Sequence, residues 1–333
     1  MKAMLCETYG LPETMRLADV PPLKAGPGQV VISVKACGVN FPDVLMIQDR
    51  YQFKAALPFA PGGEVAGIVK EAGEGVHMLK AGDHVAAAIR SGGFAEEALA
   101  DAQRCIHVPK GVDFDVASSF IVTYGTSYHA LKDRAHLKRG EKLVVLGAAG
   151  GVGIAAVQLG ALMGARVIAG ASNPEKVEFA KMHGAADGFV YPPVPLSKDQ
   201  QKGLSENIKR LTGDDGADVL YDPVGDDYSE PALRTMAWQG RYLVVGFAAG
   251  AIPRVPLNLA LLKGCDIVGV FWGTATARNP KEAFADLELL ARWIAEGKLK
   301  PQISERFSLQ YAGRAIRQLM DRKALGKVIV TME

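Results

Sequence analysis

Short apolar runs separated by glycine and proline fill the first 120 residues or so. The runs cover residues 2–9, 29–39, 64–73 and 83–89, and the segments between them include 21–28, 59–63 and 79–83. Apolar runs of this length between turn-forming residues are typical of β-strands. The pattern therefore predicts a mostly antiparallel barrel or sandwich.

Strands and helices alternate after about residue 120, where residues 122–137 predict a helix. The predicted strands are Leu143–Ala148, Arg166–Ala171, Gly188–Tyr191, Ala217–Asp222, Arg241–Gly246 and Asp266–Phe271. Six strands with helices between them predict a doubly wound parallel sheet. Asn173, Pro174 and Glu175 predict a sharp helix start, and Gly184 its end.

The tail after residue 273 predicts a helix over 280–296, a strand near 302–308, a helix near 311–322 and a strand over 327–332. We expect it to rejoin the first domain. The predicted domains are 1–120 with 274–333, and 121–273. The Pro-rich and polar segment 191–203 is predicted to be a mobile surface loop.

Composition narrows the class of protein. The chain has 333 residues, 49% hydrophobic and 22% charged, with a net charge of +2. The hydrophobic and charged fractions exclude a disordered or collagen-like chain. The low net charge and the absence of blocks of like charge argue against nucleic acid or an acidic membrane as a partner. Four widely spaced cysteines and no signal-peptide pattern favour the cytoplasm. The uncharged stretch 143–165 contains six glycines and Gln158, which argues against a transmembrane span.

Four glycines, Gly147, Gly150, Gly151 and Gly153, lie between a predicted strand and an apolar helix. Glycines at such a turn let backbone N–H groups approach a pyrophosphate at the helix N-terminus. We therefore predict a dinucleotide site with contacts from Gly150, Gly151 and Val152. The spacing departs from GxGxxG, and a purely structural turn is the alternative.

The end of the second strand of this domain distinguishes between dinucleotides. Residues 170–173 read Gly-Ala-Ser-Asn, so no carboxylate is present to bind ribose hydroxyls or repel a 2′-phosphate. Ser172, Lys176 and Tyr191 could contact that phosphate, and NADPH is favoured over NADH. The alternative for Lys176 is a solvated lysine on the helix face.

The order of motifs along the whole chain resembles the zinc-independent medium-chain dehydrogenases/reductases, in the quinone oxidoreductase group. The motifs occupy residues 36–51, 57–69, 81–87, 147–159, 221–225 and 240–253. The resemblance implies a GroES-like β-barrel catalytic domain completed by the C-terminal tail, and an inserted Rossmann domain. It also implies a homodimer whose sheets join at the last Rossmann strand, residues 266–272.

The resemblance also bears on metal content. The zinc-dependent relatives have a cysteine ligand and a histidine ligand where this chain has Asn40 and Gly63. Glu64 remains, but a single carboxylate does not hold zinc, so we predict no metal. Without a Lewis acid, alcohol oxidation is disfavoured, and hydride transfer from NADPH to an acceptor that is already electrophilic remains feasible.

Several residues take site roles from the resemblance. Asn40 is expected to donate an amide N–H near the nicotinamide, and the Tyr51 phenol to hydrogen-bond or protonate the acceptor. Asp43 is expected to cap a helix. The remaining cofactor contacts implied are Thr123, a wall of Phe247, Phe271 and Trp272, and Arg322 toward the 2′-phosphate. The alternative for Asn40 is an asparagine that closes a loop, and the alternative for Tyr51 is a tyrosine that only packs. The alternative for the three aromatic residues is that they belong to the core.

The leading hypothesis is an NADPH-dependent quinone reductase. The nearest alternative reduces α,β-unsaturated carbonyls or enoyl-CoA thioesters, and Arg50 and Lys54 permit a CoA site without requiring one. A third hypothesis, from another class, is an NADPH-binding regulatory protein that acts on RNA or a protein partner with little turnover.

Overall fold

The computed structural model describes residues 1–332, which divide into two compact units. The barrel unit comprises Met1–Val122 together with the chain from Pro280 onward, and the sheet unit comprises Thr123–Asn279. The sequence placed these boundaries at 120/121 and 273/274.

The strands, in chain order, are β1 Lys2–Leu5, β2 Arg16–Asp19, β3 Gln29–Val39, β4 Glu64–Ala72, β5 His84–Ala88, β6 Glu97–Asp101, β7 Cys105–His107, β8 Lys142–Val145, β9 Arg166–Ala171, β10 Asp187–Val190, β11 Ala217–Asp222, β12 Met236–Val244, β13 Asp266–Gly269, β14 Ile303–Ser308 and β15 Lys327–Thr331. The helices are α1 Phe41–Met46, α2 Phe114–Ala117, α3 Ile121–His129, α4 Gly151–Leu162, α5 Pro174–Met182, α6 Lys198–Thr212, α7 Ser229–Leu233, α8 Asn258–Lys263, α9 Trp272–Arg278, α10 Pro280–Ala295 and α11 Ala312–Met320. A π-helical turn, Ala130–Arg134, follows α3.

The barrel unit is organised around β3, which is buried along most of its length. One edge of β3 pairs with β4, and the other pairs with β6 through residues 29–33 and with β15 through residues 36–39. All of these pairings are antiparallel, as the glycine- and proline-punctuated pattern predicted. The β3–β15 pairing confirms that the C-terminal tail rejoins the first domain.

The sheet unit contains six parallel strands in the order β10-β9-β8-β11-β12-β13. This is the doubly wound order, with the first strand of the unit in the middle and the crossover beside it. All six predicted strands are present, and β9 and β11 have the predicted bounds. Asn173 caps α5 by accepting the Lys176 backbone N–H at 2.8 Å, as predicted.

The prediction of a mobile loop over residues 191–203 was wrong. Ser197 and Gln200 form a reciprocal capping box, and α6 therefore begins at Lys198. Tyr191 and Leu196 are buried in the core of the sheet unit. Among residues 1–332, no helix has the length and apolar character needed to cross a membrane.

Candidate active site

Asn40 lies at the junction where β3 ends at Val39 and α1 begins at Phe41. The Asp43 carboxylate holds this junction, because its Oδ2 accepts the Asn40 backbone N–H at 2.8 Å and its Oδ1 accepts that of Gly62 at 3.0 Å. Asn40 occupies the N-cap position of α1, and Asp43, which was expected to cap this helix, is its third residue and contributes through the bond to the Asn40 backbone N–H. These two hydrogen bonds fix the backbone from which the Asn40 side chain extends.

The Asn40 side chain is buried in a polar cluster with Glu64 and Lys327. Its Nδ2 donates to Glu64 Oε2 at 2.9 Å and to the Gly38 carbonyl at 3.2 Å. Its Oδ1 accepts from Lys327 Nζ at 2.7 Å. Lys327 comes within reach because β15 begins beside the end of β3. We call Asn40, Glu64 and Lys327 the Asn40 cluster.

These contacts change the role expected of Asn40. Both hydrogens of its amide are already donated within the barrel unit. The group it can still offer is the second lone pair of Oδ1, since Lys327 uses the first. Asn40 is therefore a hydrogen-bond acceptor here, and the expected donor role requires the cluster to rearrange.

The Asn40 cluster does not fit a zinc ion. Glu64 Oε2 already pairs with the Lys327 ammonium at 3.0 Å, and Glu64 Oε1 accepts the Val122 backbone N–H at 3.0 Å. A second cation at Glu64 would lie against that ammonium, and positions 40 and 63 supply no thiolate or imidazole. The chemistry of these donors favours a protonated lysine over a metal.

Tyr51 lies in the loop after α1 and packs half-buried against the core of the barrel unit. Burial raises the pKa of the Tyr51 phenol, and the negative charge of Asp43 adds to the shift. Burial also raises the pKa of Asp43 to about 6. The phenol therefore keeps its proton at neutral pH and can serve as a hydrogen-bond donor.

In the sheet unit, the predicted glycine turn joins β8 to α4. Gly147 has a φ of +60°, and a Cβ at Gly153 would lie 2.1 Å from the Gly147 carbonyl oxygen. The first bond within the helix runs from the Ile154 N–H to the Gly150 carbonyl. The N–H groups of Gly151, Val152 and Gly153 thus open the helix without an intrahelical acceptor, which is the arrangement that binds a phosphate.

Buried hydroxyl groups brace this turn. The Tyr191 hydroxyl accepts the Gly147 N–H at 3.0 Å, and the Tyr191 ring packs on Tyr228 with ring centroids 4.7 Å apart. Ser127 Oγ bonds the Val152 carbonyl and the Tyr221 hydroxyl, each at 2.9 Å. Tyr191, expected at the cofactor, is thus part of the support of the turn. Thr123, at the start of α3, is also buried.

The end of β9 has the chemistry expected for a phosphate. Ser172 is exposed directly after β9, and Lys176 is half-buried in the first turn of α5. Asn173 is occupied as the helix cap. A hydroxyl, a lysine and a helix N-terminus lie within this short segment, which suits an anionic group.

The three predicted aromatic residues differ in exposure. Phe271 is 53% exposed and follows β13 closely, whereas Trp272 is half-buried. The Trp272 indole packs on Gly125 of α3, where a Cβ would lie 2.7 Å from the ring. Phe247 packs against Gly225 in the same way, at 2.8 Å.

The predicted site residues divide between the units. Asn40, Tyr51 and Arg322 belong to the barrel unit, and the others to the sheet unit. Arg322 is exposed in the turn after α11, with a φ of +55°. Sequence reasoning missed Lys327, although a lone lysine opening the buried strand β15 was a signal that it has a buried partner.

Asp222, at the end of β11, was also missed. It is buried and accepts the N–H groups of Val224 and Gly225 at 2.8 and 2.9 Å, and the hydroxyl groups of Ser229 and Tyr242. The burial of Tyr242 and the nearby Asp222 charge raise the pKa of its phenol. Asp222 orders the turn after β11 and makes the motif 221–225 a structural one.

Two family models match the chain. The GroES-like domain of alcohol dehydrogenases matches residues 26–110, and a model described as zinc-binding dehydrogenase matches residues 151–292. Positions 40 and 63 lie in the first match and outside the second.

Whole-chain relatives were found among both curated proteins and solved structures. A quinone oxidoreductase-like protein 2 homolog of Nematostella vectensis is 35% identical over 99% of this chain and 88% of its own length. A mycobacterial protein complexed with NADPH is 30% identical, with a TM-score of 0.92 over 99% of this chain and 100% of that one. The Escherichia coli quinone oxidoreductase, also complexed with NADPH, is 26% identical, with a TM-score of 0.91 over 99% of this chain and 100% of that one.

Proposed function

The chain belongs to the quinone oxidoreductase family of medium-chain dehydrogenases/reductases, and from that premise we propose that it transfers hydride from NADPH to a quinone without a bound metal. NADPH is supported by the glycine turn at α4 and by the absence of a carboxylate over residues 170–173. The NADPH complexes of related proteins add to that support.

The observation that carries the proposal is the donor set of the Asn40 cluster. The Lys327 ammonium pairs with Glu64 and Asn40. A zinc ion would therefore lack protein ligands here and could not polarise the acceptor. A protein of this kind suits an acceptor that is already electrophilic. A quinone is such an acceptor, because its reduced form is an aromatic hydroquinone.

NADPH, when bound, supplies the hydride. The N–H groups that open α4 would hold its pyrophosphate, and Ser172 and Lys176 its 2′-phosphate. Asn40 Oδ1 has one lone pair to accept an amide N–H of the cofactor. Tyr51 would donate its phenolic proton to the oxygen that gains negative charge, and water would return a proton to it, since the residue is half-buried rather than enclosed.

The barrel unit argues against a CoA thioester as the preferred acceptor. Lys54, one of two cations considered for CoA phosphates, is paired with Asp49 at 2.5 Å. Arg50 and Lys54 are two cations for a group with several phosphates, and Lys54 would first have to give up its exposed ion pair with Asp49, so we place a quinone before a CoA thioester.

The test is NADPH oxidation at 340 nm with 1,4-benzoquinone, a medium-chain enal and crotonyl-CoA at equal concentrations. We expect consumption chiefly with the quinone, with stoichiometric hydroquinone, and a large loss of turnover in Tyr51→Phe. Consumption chiefly with the enal or thioester would make the protein a double-bond reductase. Tight NADPH binding without turnover of any acceptor would favour the regulatory hypothesis.

A homodimer is the second part of the proposal. Edge strand β13 pairs with β12 on one side, and its Ile267 is 39% exposed. Five large apolar side chains between residues 238 and 262 are each at least 70% exposed: Trp238, Ile252, Leu257, Leu261 and Leu262. An exposed edge strand with apolar surface suits a second copy of this chain, which would add its own β13 by two-fold symmetry.

The mass in solution tests the dimer by light scattering. We expect a dimer for the wild type and a monomer for Ile267→Lys, because a lysine on the edge strand opposes pairing. Met182→Lys, at an exposed methionine of α5, is the matched control and should leave the dimer intact. A monomeric wild type would refute this part.

The four buried free cysteines agree with our proposal that the protein works in the cytoplasm.

A further inference from the structure

The Asn40 cluster is saturated with hydrogen bonds. The three hydrogens of Lys327 Nζ go to the Val39 carbonyl at 3.1 Å, Asn40 Oδ1 at 2.7 Å and Glu64 Oε2 at 3.0 Å. The two hydrogens of Asn40 Nδ2 go to Glu64 Oε2 and the Gly38 carbonyl. Every donor of these two side chains therefore has an acceptor inside the barrel unit.

Burying such a cluster adds little to the stability of a fold. The side chains of Glu64 and Lys327 are 0% and 4% exposed. Removing an ammonium and a carboxylate from water costs several kcal/mol per ion, and well-packed apolar residues are often equally stable. A saturated network does, however, define one arrangement of its members. The cluster is therefore suited to fixing geometry.

The geometry that it fixes is the orientation of the Asn40 amide. If the amide turned by 180°, its NH₂ group would face the Lys327 ammonium and its oxygen would face the Glu64 carboxylate. Two donors and two acceptors would then oppose each other in a dry environment, where unpaired polar groups are costly. A Cβ at Gly38 would lie 2.9 Å from Glu64 Oε2 and 3.0 Å from Lys327 Nζ, so the cluster has little room to rearrange.

Glu64 also bonds the backbone at the start of α3. Its Oε1 accepts the N–H of Val122 at 3.0 Å, one residue before Thr123. One carboxylate thus bonds both the Asn40 side chain and the backbone at the start of α3.

We propose that Lys327 and Glu64 are positioning residues that hold the Asn40 amide in a single orientation for hydride transfer, with the lysine as the fixed cation of the site. This inference rests on the proposed function and adds two residues that act through Asn40.

The test uses variants that keep the cluster uncharged. Lys327→Met alone leaves a buried carboxylate without its cation and can fail to fold, so the informative protein is the double variant Lys327→Met/Glu64→Gln. If the amide that Glu64→Gln introduces keeps its oxygen on the Val122 N–H, its NH₂ group replaces Oε2 and faces Asn40 Nδ2, while Asn40 Oδ1 loses the Lys327 donor, so the wild-type orientation of the Asn40 amide is no longer held. Lys70→Met/Glu97→Gln is the matched control, since it neutralises a 2.5 Å ion pair elsewhere in the barrel unit.

Kinetics then separate positioning from packing. We expect Lys327→Met/Glu64→Gln to keep its melting temperature and NADPH affinity while kcat falls by about tenfold or more, because reacting groups are misplaced. The control should keep the wild-type kcat. In an Asn40→Ala background the same double change should have no further effect on kcat. A folded double variant with wild-type kcat, or a loss additive to that of Asn40→Ala, would overturn the proposal.

A second readout needs no turnover. The chain has five asparagines, so selective ¹⁵N labelling resolves their side-chain amides, and Asn40→Ala assigns the signal of Asn40. We expect its two protons to exchange slowly with water in the wild type and rapidly in Lys327→Met/Glu64→Gln. Equal exchange in both proteins would refute the orientation role. If the wild type reduces no acceptor, the proposed function fails, and this measurement still decides on the orientation.

Discussion

The Asn40 cluster and the glycine turn satisfy their polar groups in opposite ways. In the cluster, each donor of Lys327 and of the Asn40 amide has an acceptor in the protein. At the glycine turn, the N–H groups of residues 151–153 open a helix without an intrahelical acceptor. One region is complete by itself, and the other presents helix N-terminal donors that, in our proposal, a pyrophosphate would complete.

This difference separates stability from binding. Changes that remove one charge of the Asn40 cluster and leave the other buried without a partner should appear first in the free energy of unfolding. Changes at the glycine turn and at the end of β9 should appear mainly in NADPH affinity. The comparison would be wrong if changes in the Asn40 cluster acted mainly on NADPH affinity, or if changes at the glycine turn left NADPH affinity unaltered.

The largest effect is expected from Lys327→Met. It should lower the free energy of unfolding by about 3–5 kcal/mol, because Glu64 keeps a buried charge without a cation. Urea unfolding measures the loss, and adding Glu64→Gln should restore most of it. For comparison, Arg317→Met at the exposed Arg317–Glu13 pair should cost less than about 1 kcal/mol. A similarly small cost for Lys327→Met would contradict the account.

Asp43, which holds the turn beside the Asn40 cluster, makes the free energy of unfolding depend on pH. Its pKa is about 6 in the fold against 3.8 ordinarily, so the folded protein binds this proton more tightly. Its contribution to the unfolding free energy therefore falls by about 3 kcal/mol as pH rises from about 4 to 6. Lys327 and Glu64 are the charged groups nearby, with Cys37 and Tyr51 neutral beside them. Asp43→Asn should remove this dependence, and a difference from wild type that is constant with pH would refute it.

Gly153→Ala probes the other region. The added Cβ would lie 2.1 Å from the Gly147 carbonyl oxygen, so the turn must shift. We expect weaker NADPH binding by fluorescence titration and a loss of about 1–3 kcal/mol in stability from overpacking. Gly203→Ala in α6, which meets no atom within 4 Å, should instead add about 0.5–1 kcal/mol. Unchanged NADPH affinity in Gly153→Ala would show that the turn holds no phosphate.

The smallest effect is expected from Lys176→Ala, which should raise the Kd for NADPH about tenfold, or about 1.4 kcal/mol, and leave that for NADH unchanged. Lys181→Ala, further along α5 and paired with Glu178, should change neither value. Equal Kd values for NADPH in Lys176→Ala and wild type would make Lys176 a surface lysine only.

Local patterns predicted most of the fold. Apolar runs bounded by turn residues located β3 and all six strands of the doubly wound sheet, and the cap at Asn173 located the start of α5. The short strand β6 was missed because its pairing depends on the distant strand β3, and the three-residue strand β7 pairs with β5. The strand β2, which pairs with β1, was missed because its mostly exposed residues form no apolar run. In segment 191–203, the prolines and polar residues masked the Ser197–Gln200 capping box.

The site was less predictable than the fold. The glycine turn is local, so its position followed from four glycines between a strand and a helix. The Asn40 cluster joins the residue that follows β3 with residues of β4 and β15, and Lys327 lies 287 positions from Asn40. No spacing rule relates such residues, and only the pairing of β15 with β3 brings them together. The amide hydrogens of Asn40 were consequently assigned to a ligand when its neighbours already accept them.

The measurement that tests the central claim most directly is quinone-dependent NADPH oxidation after prolonged dialysis against a strong zinc chelator, with the metal content of the same sample determined. The account predicts full turnover with substoichiometric metal, because the Lys327 ammonium holds Glu64 and Asn40. Loss of turnover on dialysis, with recovery on adding Zn²⁺, would contradict it.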